Sequence, residues 1–133
     1  MQSKKIGWIM EYISMLMEVY FLLLRNILEE VVLELEIQNY SSKTIITYKS
    51  KNLNFIKYLE NKHKITKIED VKTLHVKYYG GGLRQAQRKP TYINSVIKSL
   101  QAFYKYSKEE NFTQSNPITD VKLLKVNQHL ARK

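Results

Sequence analysis

Apolar residues return every three or four positions along most of this chain, which is the spacing of a helix with one buried face. The clearest case begins at Pro90, a residue well suited to the first turn of a helix. Its polar face carries Asn94, Ser95 and Lys98. No stretch shows the sustained two-residue alternation of a half-buried strand. The sequence therefore predicts an all-α fold, whose last helix has an apolar stripe of Ile93, Val96, Ile97, Leu100, Phe103 and Tyr104.

A second helix is predicted from about residue 43 to residue 61, after a polar break that ends at Ser41 and Ser42. Either serine is a good N-cap. The expected core stripe contains Ile45, Tyr48, Phe55, Ile56 and Leu59, with Asn52 as an imperfection. The polar face contains Lys43, Thr47, Lys49, Lys51, Asn54 and Lys57. Because no acidic residue precedes Glu60, these lysines cannot pair within the helix, and an anion from outside would relieve their repulsion.

The chain opens with an apolar segment, residues 6–24, that we expect to continue as one helix to about Glu36. Glu11 and Glu18 interrupt it, and a charged group inside a spanning helix costs roughly 2.5–3.5 kcal/mol on insertion scales. Its longest apolar run, residues 19–24, is far shorter than the roughly 20 residues that a membrane span needs. We therefore expect an amphipathic or buried helix, with a membrane anchor as the weaker alternative. Packing on the next domain and self-association both stay open.

The middle of the chain predicts a loop at residues 62–66 and a short helix from Ile68 to about Tyr79. We expect Gly80, Gly81 and Gly82 to break the chain there and to open a basic connector, residues 83–89. The triplet lacks the G-K-[ST] ending of a phosphate-binding loop and follows no predicted strand. That function is therefore excluded.

Charge gives the first indication of a partner. The 133 residues hold 22 basic and 12 acidic side chains, for a net charge of +10. Residues 1–38 carry a net charge of −3 and residues 39–133 one of +13. A basic charge concentrated in one domain favours nucleic acid as the partner, ahead of an anionic membrane surface.

No cofactor or metal site is predicted. The chain has no cysteine, which excludes disulfides, thiolate nucleophiles and cysteine metal ligands. His63, His75 and His129 lie too far apart in the sequence to suggest a metal cluster, and none has the spacing of a nucleophile and its base.

Four short motifs, in order, resemble the core-binding domain of the tyrosine-recombinase, or phage-integrase, family. The family's opening helix pattern S-x-T-x-x-x-Y…F…L is matched by Ser42, Thr44, Tyr48, Phe55 and Leu59. Residues 65–74 resemble its short second helix, and residues 91–104 resemble its last long helix. Ser115-Asn116-Pro117 resembles the x-N-P sequence that closes the module. The resemblance covers roughly residues 33–125.

The resemblance implies a SAM-like bundle of four or five helices, here with an extra N-terminal helix. In this family the module forms half of a C-shaped clamp on duplex DNA, and a separate C-terminal domain carries the catalytic arginines, lysine, histidines and tyrosine. Because the chain stops about where that domain would begin, we expect a DNA-binding domain without enzymatic activity. His129 and Arg132 fit the family's catalytic H-x-x-R pattern, but only Lys133 follows them, so we interpret the match as chance.

The predicted DNA contacts are basic, hydroxyl and amide side chains at two helix starts and on the basic faces. Phosphate contacts should supply most of the affinity. Base reading would fall to Asn94, Lys98 or Arg88. The full set is Lys43, Thr44, Lys49, Lys51, Arg84, Arg88, Lys89, Thr91, Asn94 and Lys98.

The predicted organisation has three parts: an apolar and acidic helical extension at residues 1–38, the core-binding domain at 39–126 and a basic tail at 127–133. The expected partner is double-stranded DNA, in a bacterial or phage-derived cytoplasmic setting. Two alternatives remain. The first is an interaction protein that self-associates, or recruits recombinase subunits, through residues 1–38. The second is a basic protein that binds a membrane surface.

Overall fold

A computed structural model describes residues 2–126, and the side chains of residues 5–17 and 22–126. This part of the chain folds as five α-helices joined by short turns, which confirms the all-α prediction. The predicted tail, with His129 and Arg132, lies outside the described residues. The helices are α1 (Gln2–Phe21), α2 (Leu24–Ile37), α3 (Ser42–Tyr58), α4 (Thr73–Gln85) and α5 (Pro90–Glu109). Among the described residues, no helix is long and apolar enough to cross a bilayer.

The core lies where α2, α3 and α5 meet, and α4 closes it on the side of α5. Ser41 caps α3 as predicted, because its Oγ accepts the backbone N–H of Thr44 at 3.1 Å. Pro90 occupies the first turn of α5. Most of the predicted core residues of α3 and α5 are buried, whereas Ile45 and Tyr48 are half-buried. The buried members of these two helices include Phe55, Ile56, Ile93, Val96, Ile97, Leu100, Phe103 and Tyr104.

The predicted single N-terminal helix is interrupted at Leu22 and Leu23. The backbone there pairs with the segment after α3: the N–H of Leu24 donates to the carbonyl of Thr66 at 2.9 Å, and the N–H of Ile68 donates to the carbonyl of Leu22 at 3.0 Å. These bonds use backbone groups that a continuous helix would pair internally. α2 then contributes Leu24, Ile27, Leu28 and Val31 to the core. The predicted organisation instead placed α2 in the N-terminal extension, residues 1–38, outside the core-binding domain.

The prediction that the glycine triplet ends a helix is wrong, because α4 continues through it to Gln85. None of the described glycines has a positive φ, and a Cβ at Gly80, Gly81 or Gly82 would meet nothing within 4 Å. The packing of Val76, Tyr79 and Leu83 against the core compensates for the weak helix propensity of glycine, about 1 kcal/mol per residue relative to alanine. The preceding segment also differs from prediction: residues 68–70 form a separate 3₁₀ turn, and α4 begins at Thr73.

A tight reversal joins α4 to α5. Gln87 takes a left-handed conformation, with φ of 62°, and the N–H of Arg88 donates to the carbonyl of Leu83 at 3.0 Å. This is the hydrogen-bond pattern of a Schellman helix end. It fixes Arg88 beside the first turn of α5.

The Asn116-Pro117 sequence closes the bundle after α5. The Oδ1 of Asn116 accepts the backbone N–H of Ile118 at 3.0 Å, and Ile118 is fully buried. The hydroxyl of Thr73 donates to the carbonyl of Pro117 at 2.7 Å, which connects this turn to the start of α4. The x-N-P motif therefore has a structural role here.

Candidate nucleic-acid interface

A groove runs between the outer faces of α3 and α5. It is lined by Lys43, Thr44, Thr47, Tyr48, Lys51, Ser95, Lys98, Ser99 and Ala102. Four of these residues, Lys43, Thr44, Lys51 and Lys98, belong to the predicted DNA-binding set. The groove thus joins the basic faces of two helices that the sequence could only treat separately.

Asn52 holds the two walls of the groove together from below. Its side chain is buried, and its Nδ2 donates to the carbonyl of Tyr48 at 3.0 Å and to that of Ser99 at 3.3 Å. A buried amide without such partners would cost about 1–3 kcal/mol. The residue that looked like an imperfection in the stripe therefore fixes α3 against α5.

A hydrogen bond also crosses the upper part of the groove, where the Nζ of Lys51 donates to the Oγ of Ser95. Beside it, the ring of Tyr92 lies under two cations. Its centroid is 3.9 Å from the Cζ of Arg88 and 5.7 Å from the Nζ of Lys51. Arg88 from the α4–α5 turn thereby extends the basic surface beyond the groove.

The electrostatic character of this surface follows from the two helices that form it. α3 carries four lysines and no acidic residue, and α5 carries three lysines with its only acidic residue, Glu109, at its last position. No carboxylate lines the groove among the described residues. Unpaired positive charge of this kind produces a local potential that attracts phosphate.

Tyr48 forms part of the floor and stays uncharged. Burial raises the pKa of its hydroxyl well above the ordinary value, and the neighbouring Tyr106 acts in the same direction. Burial likewise raises the pKa of Tyr79; Tyr92 acts in the same direction, and the positive charge of Arg88 acts against it. The anion-attracting charge therefore comes from the lysines and Arg88, with no opposing phenolate.

Five of the ten predicted DNA-binding residues neither line the groove nor adjoin it as Arg88 does. Lys49 lies two positions from Lys51, about 200° around the helix, so it points away. Arg84 is exposed at the end of α4, and Lys89 and Thr91 are exposed at the start of α5. Asn94 uses both amide atoms internally: its Nδ2 donates to the carbonyl of Leu124 at 2.9 Å, and its Oδ1 accepts the N–H of Leu124 at 2.6 Å.

Sequence reasoning missed Ser95 and Ser99 as groove residues, and it left Tyr92 without a role. A signal was present in the spacing: Thr91, Ser95, Lys98 and Ala102 follow one another by four, three and four residues, opposite the apolar stripe of α5. The sequence could not show that this polar stripe lies beside α3.

The structure also brings two histidines together that are distant in the sequence. The rings of His63 and His75 lie 4.7 Å apart between centroids, and the Nε2 of His63 is 3.0 Å from the hydroxyl of Tyr58. The Nδ1 of His75 accepts the backbone N–H of Lys72 at 2.9 Å. Across residues 2–126, no group of three or more metal-binding side chains completes a site around them.

Comparison with known proteins agrees with this architecture. A family model described as phage integrase, N-terminal SAM-like domain, matches residues 32–111. Among curated proteins, the chain is 34% identical over 84 residues to the tyrosine recombinase XerC of Listeria monocytogenes, an alignment that covers 63% of this chain and 28% of that protein. It is 30% identical over 94 residues to the XerC of Treponema denticola, with 71% of this chain and 30% of that protein covered. The chain thus spans less than a third of these relatives.

Among solved structures, the fold is similar to the N-terminal domain of a phage integrase/site-specific recombinase from Haloarcula marismortui. The TM-score is 0.69 at 14% sequence identity, and the match covers 77% of this chain and 97% of that domain. At this level of identity the likeness establishes the fold. It extends over nearly the whole of the solved domain.

Proposed function

The chain belongs to the phage integrase N-terminal SAM-like domain family, and from that premise we propose that it binds duplex DNA through the α3–α5 groove and Arg88, as the DNA-binding module of a site-specific recombination system. The observation that carries this proposal is the convergence of Lys43, Lys51 and Lys98 on one groove without carboxylates. The family membership supports DNA as the partner, and the charge geometry is a separate argument for this surface.

Phosphate binding is the chemistry that this groove is suited to. Lysines supply mobile charge, and the hydroxyls of Thr44, Thr47 and Ser95 supply neutral hydrogen bonds along the same surface. Such contacts dominate the affinity of proteins for duplex DNA but carry no sequence information by themselves. We therefore assign the groove to affinity and orientation on the duplex.

The start of α3 offers a second type of phosphate contact. Ser41 donates its hydroxyl hydrogen to the Oγ1 of Thr44 at 2.8 Å, so the Thr44 hydroxyl hydrogen is still available to an acceptor. The first turn of a helix also presents backbone N–H groups that lack intrahelical acceptors. Together with Lys43, these groups fit one DNA phosphate.

Base reading falls to Arg88 and Lys98 in this account, because Asn94 is committed to Leu124. A guanidinium that stacks on a tyrosine keeps its planar edge free for two parallel hydrogen bonds. This is the arrangement that recognises guanine in the major groove.

We assign binding and positioning of DNA to residues 24–126, and strand cleavage to a different domain of the recombination machinery. A part in a recombination reaction like that of the XerC relatives is included in this proposal. Incubation of the purified chain with supercoiled DNA should leave the DNA intact. Nicking or strand exchange would contradict this part.

The decisive experiment measures the affinity for a labelled DNA duplex by fluorescence anisotropy at low salt. We expect Lys51→Gln combined with Lys98→Gln to weaken binding by at least about tenfold, since each phosphate contact is worth on the order of 1 kcal/mol. The matched control is Lys49→Gln combined with Lys67→Gln, which removes the same charge from exposed positions outside the groove.

The control pair should lower the affinity much less, by about twofold, because it acts only through the long-range potential. Equal reductions of affinity in the two variants would show that binding follows net charge and not the groove. No detectable binding of the unmodified chain at low salt would refute the proposal.

A further inference from the structure

Aromatic rings from the end of α3 and the start of α4 meet outside the α3–α5 groove. We refer to Tyr58, His63, His75, Tyr78 and Tyr79 as the ring cluster. The centroids of His63 and His75 lie 4.7 Å apart, and those of Tyr58 and Tyr79 lie 5.0 Å apart. The ring of Tyr78 is parallel to that of His63, with 6.2 Å between centroids and 8° between planes. The proposed binding of duplex DNA uses none of these rings.

A π-helical turn, Leu59–His63, brings His63 into the ring cluster. The turn follows α3 directly and ends at Lys64, whose φ of 55° is left-handed. It sets the Nε2 of His63 at 3.0 Å from the hydroxyl of Tyr58, five residues earlier. Single π-helical turns are rare and are frequent at functional sites. Here the turn places a polar aromatic ring beside α4 at the cost of regular α-helical geometry.

Part of the ring cluster is open to solvent. Tyr79 packs against the buried Phe55, with ring centroids 5.1 Å apart, and so belongs to the edge of the core. Tyr78, in contrast, is 55% exposed, and the two histidines are half-buried. A large ring that stays in water gains little of the free energy of burial. The surface of Tyr78 is therefore available to a planar ligand.

The segments that carry these rings are rich in lysine. Residues 57–79 hold six lysines and three carboxylates. Lysines directly precede or follow three of the rings in the sequence, in the pairs Lys57–Tyr58, Lys62–His63, His63–Lys64 and Lys77–Tyr78. All four of these lysines are exposed. The carboxylate of Glu60 is already paired, because it accepts two hydrogen bonds of 2.7 Å from Arg25. Exposed rings among unpaired lysines favour nucleic acid as the ligand.

The hydrogen bonds of His75 favour a nucleotide over a metal ion. Its Nδ1 accepts the backbone N–H of Lys72 at 2.9 Å, so the neutral ring carries its hydrogen on Nε2. That Nε2 can donate to an oxygen of a phosphate or a base. A metal ion would need a bare nitrogen, and the ring could supply one only by giving up the bond to Lys72.

We propose that the ring cluster binds unpaired nucleotides of single-stranded DNA, with a base stacked on Tyr78 and the adjoining phosphates held by the lysines and His75. Stacking on aromatic rings beside positive charge is how proteins bind single strands with little sequence preference. A duplex buries the faces of its bases in its own stack, so this surface selects unpaired nucleotides, unlike the α3–α5 groove. Only the choice of DNA rests on the proposed function, because strand exchange leaves nucleotides unpaired while it proceeds.

Fluorescence anisotropy of the full chain with a labelled oligothymidine of about eight nucleotides, at low salt, tests the proposal. The matched ligand is an abasic oligomer of the same length, which keeps every phosphate and removes every base. We expect the abasic oligomer to bind at least about fivefold more weakly, since stacking of one base is worth that factor or more. Binding through charge alone would give equal affinities.

Substitution of Tyr78 tests which ring stacks on the base. Tyr78→Ala should weaken oligothymidine binding at least about fivefold, and it should leave the affinity for duplex DNA unchanged. Tyr78→Phe keeps the ring and should bind like the unmodified chain. Tyr40→Ala is the matched control: Tyr40 is 49% exposed, lies outside the ring cluster, and should be replaceable without effect.

Three outcomes would overturn the proposal: equal binding of the abasic oligomer and oligothymidine, equal effects of Tyr78→Ala and Tyr40→Ala, or much tighter binding of oligouridine, which would identify RNA as the ligand. The two nucleic-acid surfaces fail separately. A chain that binds duplex DNA but not oligothymidine would refute the ring cluster and leave the groove standing. A chain that binds oligothymidine through Tyr78 but not duplex DNA would refute the groove and support the ring cluster.

Discussion

The guanidinium carbon of Arg88 lies 3.9 Å from the centroid of the Tyr92 ring, close enough for a cation–π interaction. Arg88 follows the left-handed turn at Gln87, and Tyr92 belongs to the first turns of α5. The contact holds a long side chain at one end of the α3–α5 groove. An arginine fixed before DNA arrives loses less side-chain entropy when it binds.

Tyr92 should therefore matter for DNA binding without touching DNA. We expect Tyr92→Leu to weaken duplex binding about two- to fivefold, because an exposed cation–π contact contributes about 0.5–1 kcal/mol. Tyr92→Phe keeps the ring and should bind like the unmodified chain. Anisotropy titrations of the three proteins measure this difference. Weaker binding by Tyr92→Phe would mean that the hydroxyl, and not the ring, is the important group.

Asn94, in contrast, should matter for stability and not for DNA binding. Because its amide binds the backbone of Leu124, Asn94→Ala should lower the free energy of unfolding by about 1–3 kcal/mol. The affinity of the folded protein for DNA should stay within about twofold. Urea denaturation and a DNA titration below the unfolding transition check both halves. A stable variant with a large decrease in affinity would return Asn94 to the role of a base-reading residue.

The glycine triplet of α4 offers a test of helix propensity. Replacement of Gly80, Gly81 and Gly82 by alanine should raise the free energy of unfolding by about 2–3 kcal/mol, since each change removes the helix penalty of glycine. The space for three methyl groups is open. Thermal and urea unfolding measure the gain. Destabilisation would show that this segment is not helical in solution.

The His63–His75 pair predicts a dependence of stability on pH. Burial, followed by the charges of His63 and Lys72, lowers the pKa of His75 below its ordinary value of 6.5. The folded protein thus binds this proton more weakly than the unfolded chain does. The contribution of His75 to stability is therefore complete above pH 6.5 and is lost as the pH falls through the lowered pKa.

Urea midpoints at pH 7.5 and pH 5.5 should show this decrease in the unmodified chain and a smaller decrease in His75→Gln. The glutamine variant cannot take up the proton, so it removes this part of the pH dependence. Identical pH dependence in both proteins would contradict the assignment.

Much of the fold could be predicted because its signals are local. The stripe of α5, the cap at Ser41 and the start at Pro90 depend on residues a few positions apart, and the structure confirms them. The break at Leu22 and the continuity of α4 could not be predicted, since each depends on distant partners. Leu22 pairs with the backbone of Ile68, and Tyr79 packs against Phe55 with ring centroids 5.1 Å apart.

The candidate site could likewise be predicted only where its signals are local in the sequence. The lysines of α3 were recognisable from the absence of neighbouring acids, and Lys98 was recognisable from its place on the polar face of α5. That Lys51 and Lys98 share one groove, while Lys49 points elsewhere, depends on how α3 lies against α5. Asn52 fixes the position of α3 on α5 through its hydrogen bond to the carbonyl of Ser99. In the sequence, Asn52 is only a polar residue within an apolar stripe, because its hydrogen-bond partner lies on another helix.

If DNA phosphates bind in the α3–α5 groove, the salt dependence of duplex binding should reveal how many of them the groove neutralises. For four to seven phosphate contacts, the logarithm of the binding constant should fall against the logarithm of the salt concentration with a slope of roughly −4 to −6. Replacement of Lys43, Lys51 and Lys98 by glutamine should reduce the magnitude of that slope by about 0.9 for each phosphate that the variant no longer neutralises. An unchanged slope in this variant would mean that these three lysines contact no DNA phosphate.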